Sequence, residues 1–274
     1  MMKTAEQAAK KIAAANKEAS QYVGYCGTEA EEIEKTMNEE IAEEHIYWSG
    51  EDLLILDYED GAGEMWGPFI DSSAPDWSQR ANRLMNMIPA ETVLYGFYGH
   101  ENIRAIEWMR SLGAELKGEE VILKASRFTP EKNEGSIQIK TLSDQEFNEF
   151  ESLHNQVFPE TYYDAETILK RTNPNRPLLA ALDAGQLIGY IYAESDPEFG
   201  EASVEYLAVN EAARGKGAGY TLLRTAMQKL FEEQQVKEIS LCVSKSNQTA
   251  IRLYQRAGFY IEKELLYFKK DLSI

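Results

Sequence analysis

VEYLAVNEAARGKGAGYTLL, residues 204–223, is the stretch that decides the fold. Val204–Val209 reads as a strand, a short loop follows, and an apolar helix opens after Arg214-Gly215-Lys216-Gly217-Ala218-Gly219. Glycines at a strand-to-helix junction let the backbone come close to a ligand. The unbonded N–H groups of the first helical turn, together with the helix dipole, favour an anion there. Arg214 and Lys216 add positive charge in a chain that is otherwise acidic. A pyrophosphate suits such a turn. The turn alone is weakly specific. It lacks the Lys-Ser/Thr ending of a P-loop, and it does not follow the first strand of a βαβ unit as a dinucleotide-binding G-x-G-x-x-G does.

Outward from this stretch, the second half reads as alternating strands and helices. SIQIKTL (136–142) is a strand, DQEFNEFESLHNQVF (144–158) an amphipathic helix, and Asp164–Arg171 a helix after the loop FPETYY (158–163). LLAALDAGQLIGYIYAES (178–195) is a hairpin turning at Ala184-Gly185. EISLCVS (238–244) is a strand, TAIRLYQRAG (249–258) a helix, and YIEKELLYFKKDL (260–272) closing strand material. The first half has a similar order. Helices are predicted over 3–22 and 28–46, the second with Thr28 as N-cap and Glu31 completing a capping box. A hairpin (52–70), a helix opened by Pro75, the strand TVLYGFYG (92–99), a short helix ended by Gly113 and the strand EEVILKAS (119–126) follow. RFTPEKNEGS (127–136) is polar with Pro and Gly and reads as a linker. The predicted boundaries are 1–127, a linker over 128–136, and 137–274. A shift of 145 residues lays NIRAIEWMRSLG (102–113) on NQTAIRLYQRAG (247–258), matching Asn102, Ala105, Ile106 and Gly113 to Asn247, Ala250, Ile251 and Gly258. This match and the shared element order predict two copies of one fold.

Arg-x-x-Gly-x-Gly at 214–219, preceded by L-A-V-N, resembles the acetyl-CoA-binding motif of the GNAT N-acetyltransferase superfamily. About thirty residues on, Asn247, Ala250, Leu253-Tyr254 and Gly258-Phe259 are similar to the family's second motif, N-x-x-A-x-x-L-Y-x-x-x-G-F. The resemblance covers nearly all of 136–270. It implies a tandem protein of class α/β: two GNAT-like domains, each a twisted, mostly antiparallel mixed sheet flanked by helices. The C-terminal copy would carry a splayed strand that binds acetyl-CoA.

The resemblance also implies roles. The pantetheine arm would lie along Leu207, Ala208 and Val209, whose free backbone groups pair with its amides. The pyrophosphate would sit on the N–H groups of Arg214, Gly215, Lys216, Gly217, Ala218 and Gly219. Asn247 would bond the cofactor arm, and a helix N-cap role for it is compatible with that. Tyr254 matches the tyrosine near the thioester sulfur, the acid for the leaving thiolate. A neutral amine attacks the thioester carbonyl in a ternary complex, and a backbone N–H such as that of Val209 stabilises the oxyanion. The amine must lose a proton, so a base or water chain is required. Glu205 is the candidate base. Period-two geometry puts Glu205, Leu207 and Val209 on one strand face. Glu160, Tyr162 and Tyr163, in the loop that covers the acceptor in this family, are acceptor-site candidates.

The first copy lacks the glycine motif. DSSAPDWSQRANRLM follows its strand, Pro68 and Pro75 remove two backbone donors, and Asp71 and Asp76 repel a pyrophosphate. Met109 stands where the second copy has Tyr254. This copy is read as degenerate. The net charge of −18 divides as −12 over residues 1–130 and −6 over 131–274. Such an excess of acid argues against nucleic acid and anionic membranes and favours a cationic small molecule or basic peptide as acceptor. Cys26 and Cys242 have no metal-type spacing, the three histidines are scattered, and no metal is expected. Neither a secretory signal nor a run of about 20 apolar residues is present, so a reducing, cytoplasmic setting is expected. Monomer and homodimer both stay open. Two alternatives accompany N-acetyl transfer: a non-catalytic acyl-CoA sensor or scaffold, and acyl transfer to a thiol or hydroxyl.

Overall fold

The computed structural model describes residues 3–59, 61–130, 137–159 and 161–273. Contacts divide the chain into two compact units, Met1–Glu120 with Lys263–Ile274, and Val121–Glu262. This division differs from the boundaries read along the sequence. The end of the last strand counts with the first unit because Leu265–Asp271 pairs antiparallel with Val93–Gly99. Residues 131–136 of the predicted linker lie outside the described residues.

In the first unit, α1 (Ala5–Asn16) starts in a capping box. Thr4 accepts from the Gln7 N–H while the Gln7 side chain accepts from the Thr4 N–H. The helix stops at Asn16, short of the predicted residue 22, because the Asn16 side chain is used elsewhere. Its amide donates to Val23 O and Gly27 O, and its oxygen accepts from the Val23 N–H. Helix α2 (Ala30–Glu40) has Glu29 as N-cap without a side-chain bond, so the expected Thr28–Glu31 box does not form. Strands β1 (Ile46–Ser49), β2 (Asp52–Glu59) and β3 (Ala62–Phe69) form an antiparallel meander. Helix α3 (Trp77–Met85), strand β4 (Val93–Gly99), helix α4 (Ile103–Ser111) and strand β5 (Glu115–Ala125, from Val121 on in the second unit) follow.

Strands β3 and β4 are parallel, and their pairing ends at Glu64/Tyr95. Beyond it a gap opens and is filled. Gly24 N–H donates to Phe97 O at 2.9 Å, and Gly99 N–H donates to Tyr22 O at 3.1 Å. Tyr22–Gly24 thus runs along the β4 edge that faces β3. Tyr98, fully buried, donates its hydroxyl to Gly67 O on β3 at 2.9 Å.

The second unit has β6 (Gln138–Thr141), α5 (Phe147–Val157), α6 (Ala165–Arg171), β7 (Leu178–Asp183), β8 (Gln186–Asp196), β9 (Glu201–Val209), α7 (Ala218–Gln228), β10 (Glu238–Ser244), α8 (Gln248–Ala257) and β11 (Tyr260–Asp271, its first three residues in this unit). The strand order is β5-β10-β9-β8-β7-β6. The β6–β7, β7–β8 and β8–β9 pairs are antiparallel, and β9–β10 is parallel. The predicted hairpin turn is present, with Ala184 and Gly185 both at positive φ. One face buries Leu222, Leu223, Ala226 and Met227 of α7 against Val204, Ile191 and Ile239. The other buries Phe150, Leu153 and Ile168 against Tyr190, Tyr192, Tyr206 and Ala208. Truncating one such leucine, Leu222→Ala, costs about 2–5 kcal/mol.

The two copies repeat in detail. Asn102 caps α4 by accepting from the Ala105 N–H, and Asn247 caps α8 by accepting from the Ala250 N–H, at nearly the same backbone angles. No helix among the described residues is long and apolar enough to cross a membrane.

Candidate active site

The site grows from the edge of β9. Its parallel pairing with β10 covers only Glu201, Ala202 and Ser203; from Val204 onward no β10 residue is paired with it. On the other side, Asn210 N–H donates to Ile188 O at 2.9 Å, which makes Gly189/Val209 a non-hydrogen-bonded antiparallel pair. The N–H and C=O of Val209 therefore point away from β8, toward the gap. Leu207, opposite Ile191, has the same orientation two residues back. The splay expected for this strand is present, and it offers a row of backbone donors and acceptors. Close packing of β8 beneath it requires Gly189, where a Cβ would meet Ala208 O at 2.7 Å.

At the end of β9 the chain turns through a short helical turn, Glu211–Ala213, capped by Asn210. Gly215 and Gly217 then take φ of +79° and +90°, a region L side chains rarely adopt. Helix α7 starts at Ala218, and its first i→i−4 bond runs from Thr221 N–H to Gly217 O. The amides of Ala218 and Gly219 precede that bond and sit at the positive end of an eleven-residue helix. A Cβ on Gly219 would crowd Leu253 and Val209, so α7, α8 and β9 converge there.

A cavity of about 580 Å³ lies over this junction. It brings together most of the residues singled out from the sequence: Leu207, Ala208, Val209, Arg214, Gly215, Gly217, Ala218, Gly219, Asn247 and Tyr254. Lys216 is not among its lining residues; its ammonium lies 3.7 Å from Asp183. A second cation that the reading missed lines the cavity instead. Arg256 stacks its guanidinium 4.4 Å over the Tyr220 ring, and both residues line the wall. Its signal was available: Thr249, Leu253 and Arg256 recur at i, i+4 and i+7, one face of α8. Val157 and Phe158, at the end of α5, also line it. Tyr254 is buried, and burial, with Cys242 nearby, pushes its hydroxyl up to about 12.

Glu205 sits differently from the expected alternation along β9. The β8–β9 register shifts between Tyr192 and Ala193, whose partners are Tyr206 and Val204, so Glu205 is the extra residue of a β-bulge. Ala202 and Val204 pack on the α7 face, Tyr206 and Ala208 on the α5 face. Period-two counting fails across a bulge, and Glu205 does not share a face with Leu207 and Val209 on that ground. It is accessible to solvent, but crowding by protein raises its carboxyl, with Glu194 adding to the rise; a hydrogen bond from the Ser203 hydroxyl opposes it.

Glu194 stands beside it. Arg171 grips Glu194 with two bonds of 2.9 and 2.8 Å, Tyr192 donates at 2.6 Å, and Arg176 lies 3.1 Å away. Burial alone would lift this carboxyl, but these partners outweigh it and hold it below its ordinary value. Tyr163 packs its ring against Arg171 at 4.5 Å, and Tyr162, 64% exposed, rests on Tyr163 at 4.7 Å. Glu160 lies outside the described residues. In the first unit, His100, Glu119 and Glu264 place one donor atom each within 4.8 Å of one another, a grouping their wide sequence spacing conceals.

The acetyltransferase (GNAT) family model matches residues 144–259. The spermine/spermidine N(1)-acetyltransferase of Bacillus subtilis is 34% identical over 87 residues, 30% of this chain and 57% of that protein. An uncharacterised N-acetyltransferase of Methanocaldococcus jannaschii is 31% identical over 135 residues, 48% of this chain and 84% of that protein. The chain thus spans little more than half of the first of these relatives. A GCN5-related N-acetyltransferase from Sphaerobacter thermophilus superposes with a TM-score of 0.75 at 17% identity, covering 98% of this chain and 92% of that one. A tandem GNAT protein from the clavulanic acid biosynthesis pathway does so with a TM-score of 0.64 at 13% identity, covering 98% and 95%. At these identities the structures speak for the fold alone, a tandem one.

Proposed function

Since the chain belongs to the acetyltransferase (GNAT) family, we propose that its second unit moves an acetyl group from acetyl-CoA to an amine. One observation carries this reading. A single cavity joins the free edge of β9, the amides at the start of α7, Asn247 and Tyr254. The edge fits a chain of amides, the helix start with Arg214 fits a pyrophosphate, and Arg256 adds a further positive charge.

Each residue then has a task. Leu207 and Val209 present backbone groups that align the cofactor arm beside the gap. The amine nitrogen bonds to the thioester carbon, and the Val209 N–H can hold the oxygen that gains charge. The C–S bond breaks, and the sulfur leaves toward Tyr254. Burial keeps that hydroxyl protonated at neutral pH, so it can donate to the sulfur. The proton from the attacking amine goes to Glu205, directly or through water; its raised carboxyl is a better-matched base than an ordinary glutamate. Alignment of the two substrates supplies much of the remaining rate.

The acceptor reading rests on charge. Glu194 is neutralised by Arg171 and Arg176, so the charge that favours a cationic amine is that of Glu205, a solvent-accessible carboxyl near the buried Tyr206. The relative from Bacillus subtilis is named for spermine and spermidine, consistent with this choice. The test is CoA release in the presence of spermidine, spermine, aminoglycosides, amino acids and basic peptides. Release dependent on a cationic amine supports the reading, and a preference for neutral or anionic acceptors sinks its acceptor part.

A further inference from the structure

We propose that His154 and Tyr206 are positioning residues that latch residues 161–163 to the core and thereby set acceptor specificity. This rests on the reading that an amine enters beside Glu205. His154 is fully buried on α5, and both ring nitrogens are bonded: Nε2 to Tyr163 O at 2.9 Å and Nδ1 to the Tyr190 hydroxyl at 2.6 Å. A carbonyl only accepts, so Nε2 carries the proton and Nδ1 accepts from Tyr190. Burial lowers the basicity of the ring, which agrees with a neutral imidazole in this single tautomer. Tyr206 completes the latch from the sheet. Its hydroxyl accepts from the Tyr163 N–H at 3.1 Å and shares a hydrogen bond with Thr161 Oγ1 at 2.7 Å. Three bonds from two core residues thus hold both ends of a three-residue segment.

The latch connects to the chemistry at both ends. Tyr206 follows the bulged Glu205 on β9, so the strand that aims the candidate base also anchors the segment. Tyr163, fixed through its N–H and C=O, lays its ring on Arg171, which grips Glu194. The side chain of Tyr162, in the middle of the segment, is exposed to solvent. His154 and Tyr206 do neither task themselves; they decide where Tyr162 and Tyr163 stand. A one-ångström displacement of a substrate-positioning group can cost up to about a hundredfold in rate.

The experiment compares Tyr206→Phe, His154→Phe and His154→Gln in the full chain. Tyr206→Phe keeps the ring and removes the hydroxyl. His154→Gln retains an N–H able to reach Tyr163 O. Tyr206→Phe and His154→Phe should raise the KM for the amine about tenfold, with acetyl-CoA affinity by calorimetry changed less than about twofold. His154→Gln should recover most of the loss. An unchanged amine KM in Tyr206→Phe, or parallel losses of amine KM and acetyl-CoA affinity, would overturn the latch. Should His154→Phe not fold, Tyr206→Phe decides. Should the native protein turn over no amine, the acetyl-transfer reading fails, and the latch is read from hydrogen exchange at the Tyr163 amide. Faster exchange in Tyr206→Phe upholds it, and equal exchange overturns it.

Discussion

The hydroxyl of Tyr98 donates to the carbonyl oxygen of Gly67 at 2.9 Å, across the gap where β3 and β4 part. The corresponding residue of β10, 145 positions on, is Val243, which lies beyond the last β9–β10 pair, Ser203/Ser240. Tyr22–Gly24 adds a second obstruction by bonding to the β4 edge. The first unit thus keeps the splayed sheet and fills its opening with its own backbone and an aromatic ring.

On this obstruction, the expected stoichiometry is one acetyl-CoA per chain. Isothermal calorimetry should give a stoichiometry near one, and a second site of comparable affinity would contradict the obstruction.

Arg214→Glu should weaken acetyl-CoA binding roughly 10- to 100-fold, the scale of a lost charge-assisted hydrogen bond with added repulsion. Gly217→Asp should do at least as much. It brings a carboxylate to the start of α7 and forces a side chain into a left-handed backbone position. Lys216→Glu should matter less, because Lys216 does not line the cavity and lies near Asp183. Equal losses for Lys216→Glu and Arg214→Glu would count against this assignment.

Tyr254→Phe should lower kcat about a hundredfold and leave acetyl-CoA affinity nearly unchanged. With its hydroxyl held to about 12, Tyr254 stays protonated through neutral and mildly basic pH. It therefore cannot cause a fall in rate below about pH 10. On the acid side, Glu205 loses activity as it takes up a proton, and its raised carboxyl moves that limb above the ordinary value. Glu205→Gln should abolish the acid limb attributable to the carboxyl. A limb unchanged in Glu205→Gln would assign the base elsewhere.

The local structure of 204–223 was legible in the sequence, and the surroundings of Glu205 were not. The strand, glycine turn and helix start of 204–223 are local, and the backbone angles of Gly215 and Gly217 follow from residue type. Asn247 likewise does what its place before α8 suggests. Glu205 is different, because its bulge exists only relative to Tyr192 and Ala193 on the neighbouring strand. Counting along one strand cannot register an extra residue against another. The obstruction at Tyr22–Gly24 was hidden for the same reason: it depends on a pairing with Phe97 and Gly99, more than seventy residues away. The degenerate nature of the first copy was legible from its missing glycines, but not the physical means by which its gap is closed.

Glu64 sets a pH dependence of stability. Burial first, and Asp57 second, push its carboxyl up to about 8 from an ordinary 4.5. Between those values the folded chain holds a proton that the unfolded chain releases, so stability falls as pH rises through the window and levels off above it. Glu64→Gln keeps an acceptor for the Trp66 N–H and removes the titration. Its Tm should match the native protein near pH 4.5 and exceed it by several degrees at pH 9. An offset that is constant with pH would show that Glu64 titrates normally.

The most direct test of the account is a measurement of acetyl-CoA turnover against a panel of amines, run in parallel with Arg214→Glu. The account predicts CoA release that requires a cationic amine, yields one acetylated amine per CoA, and has a kcat/KM for acetyl-CoA roughly 10- to 100-fold lower in Arg214→Glu. Tight acetyl-CoA binding with no amine-dependent release across the panel would contradict it.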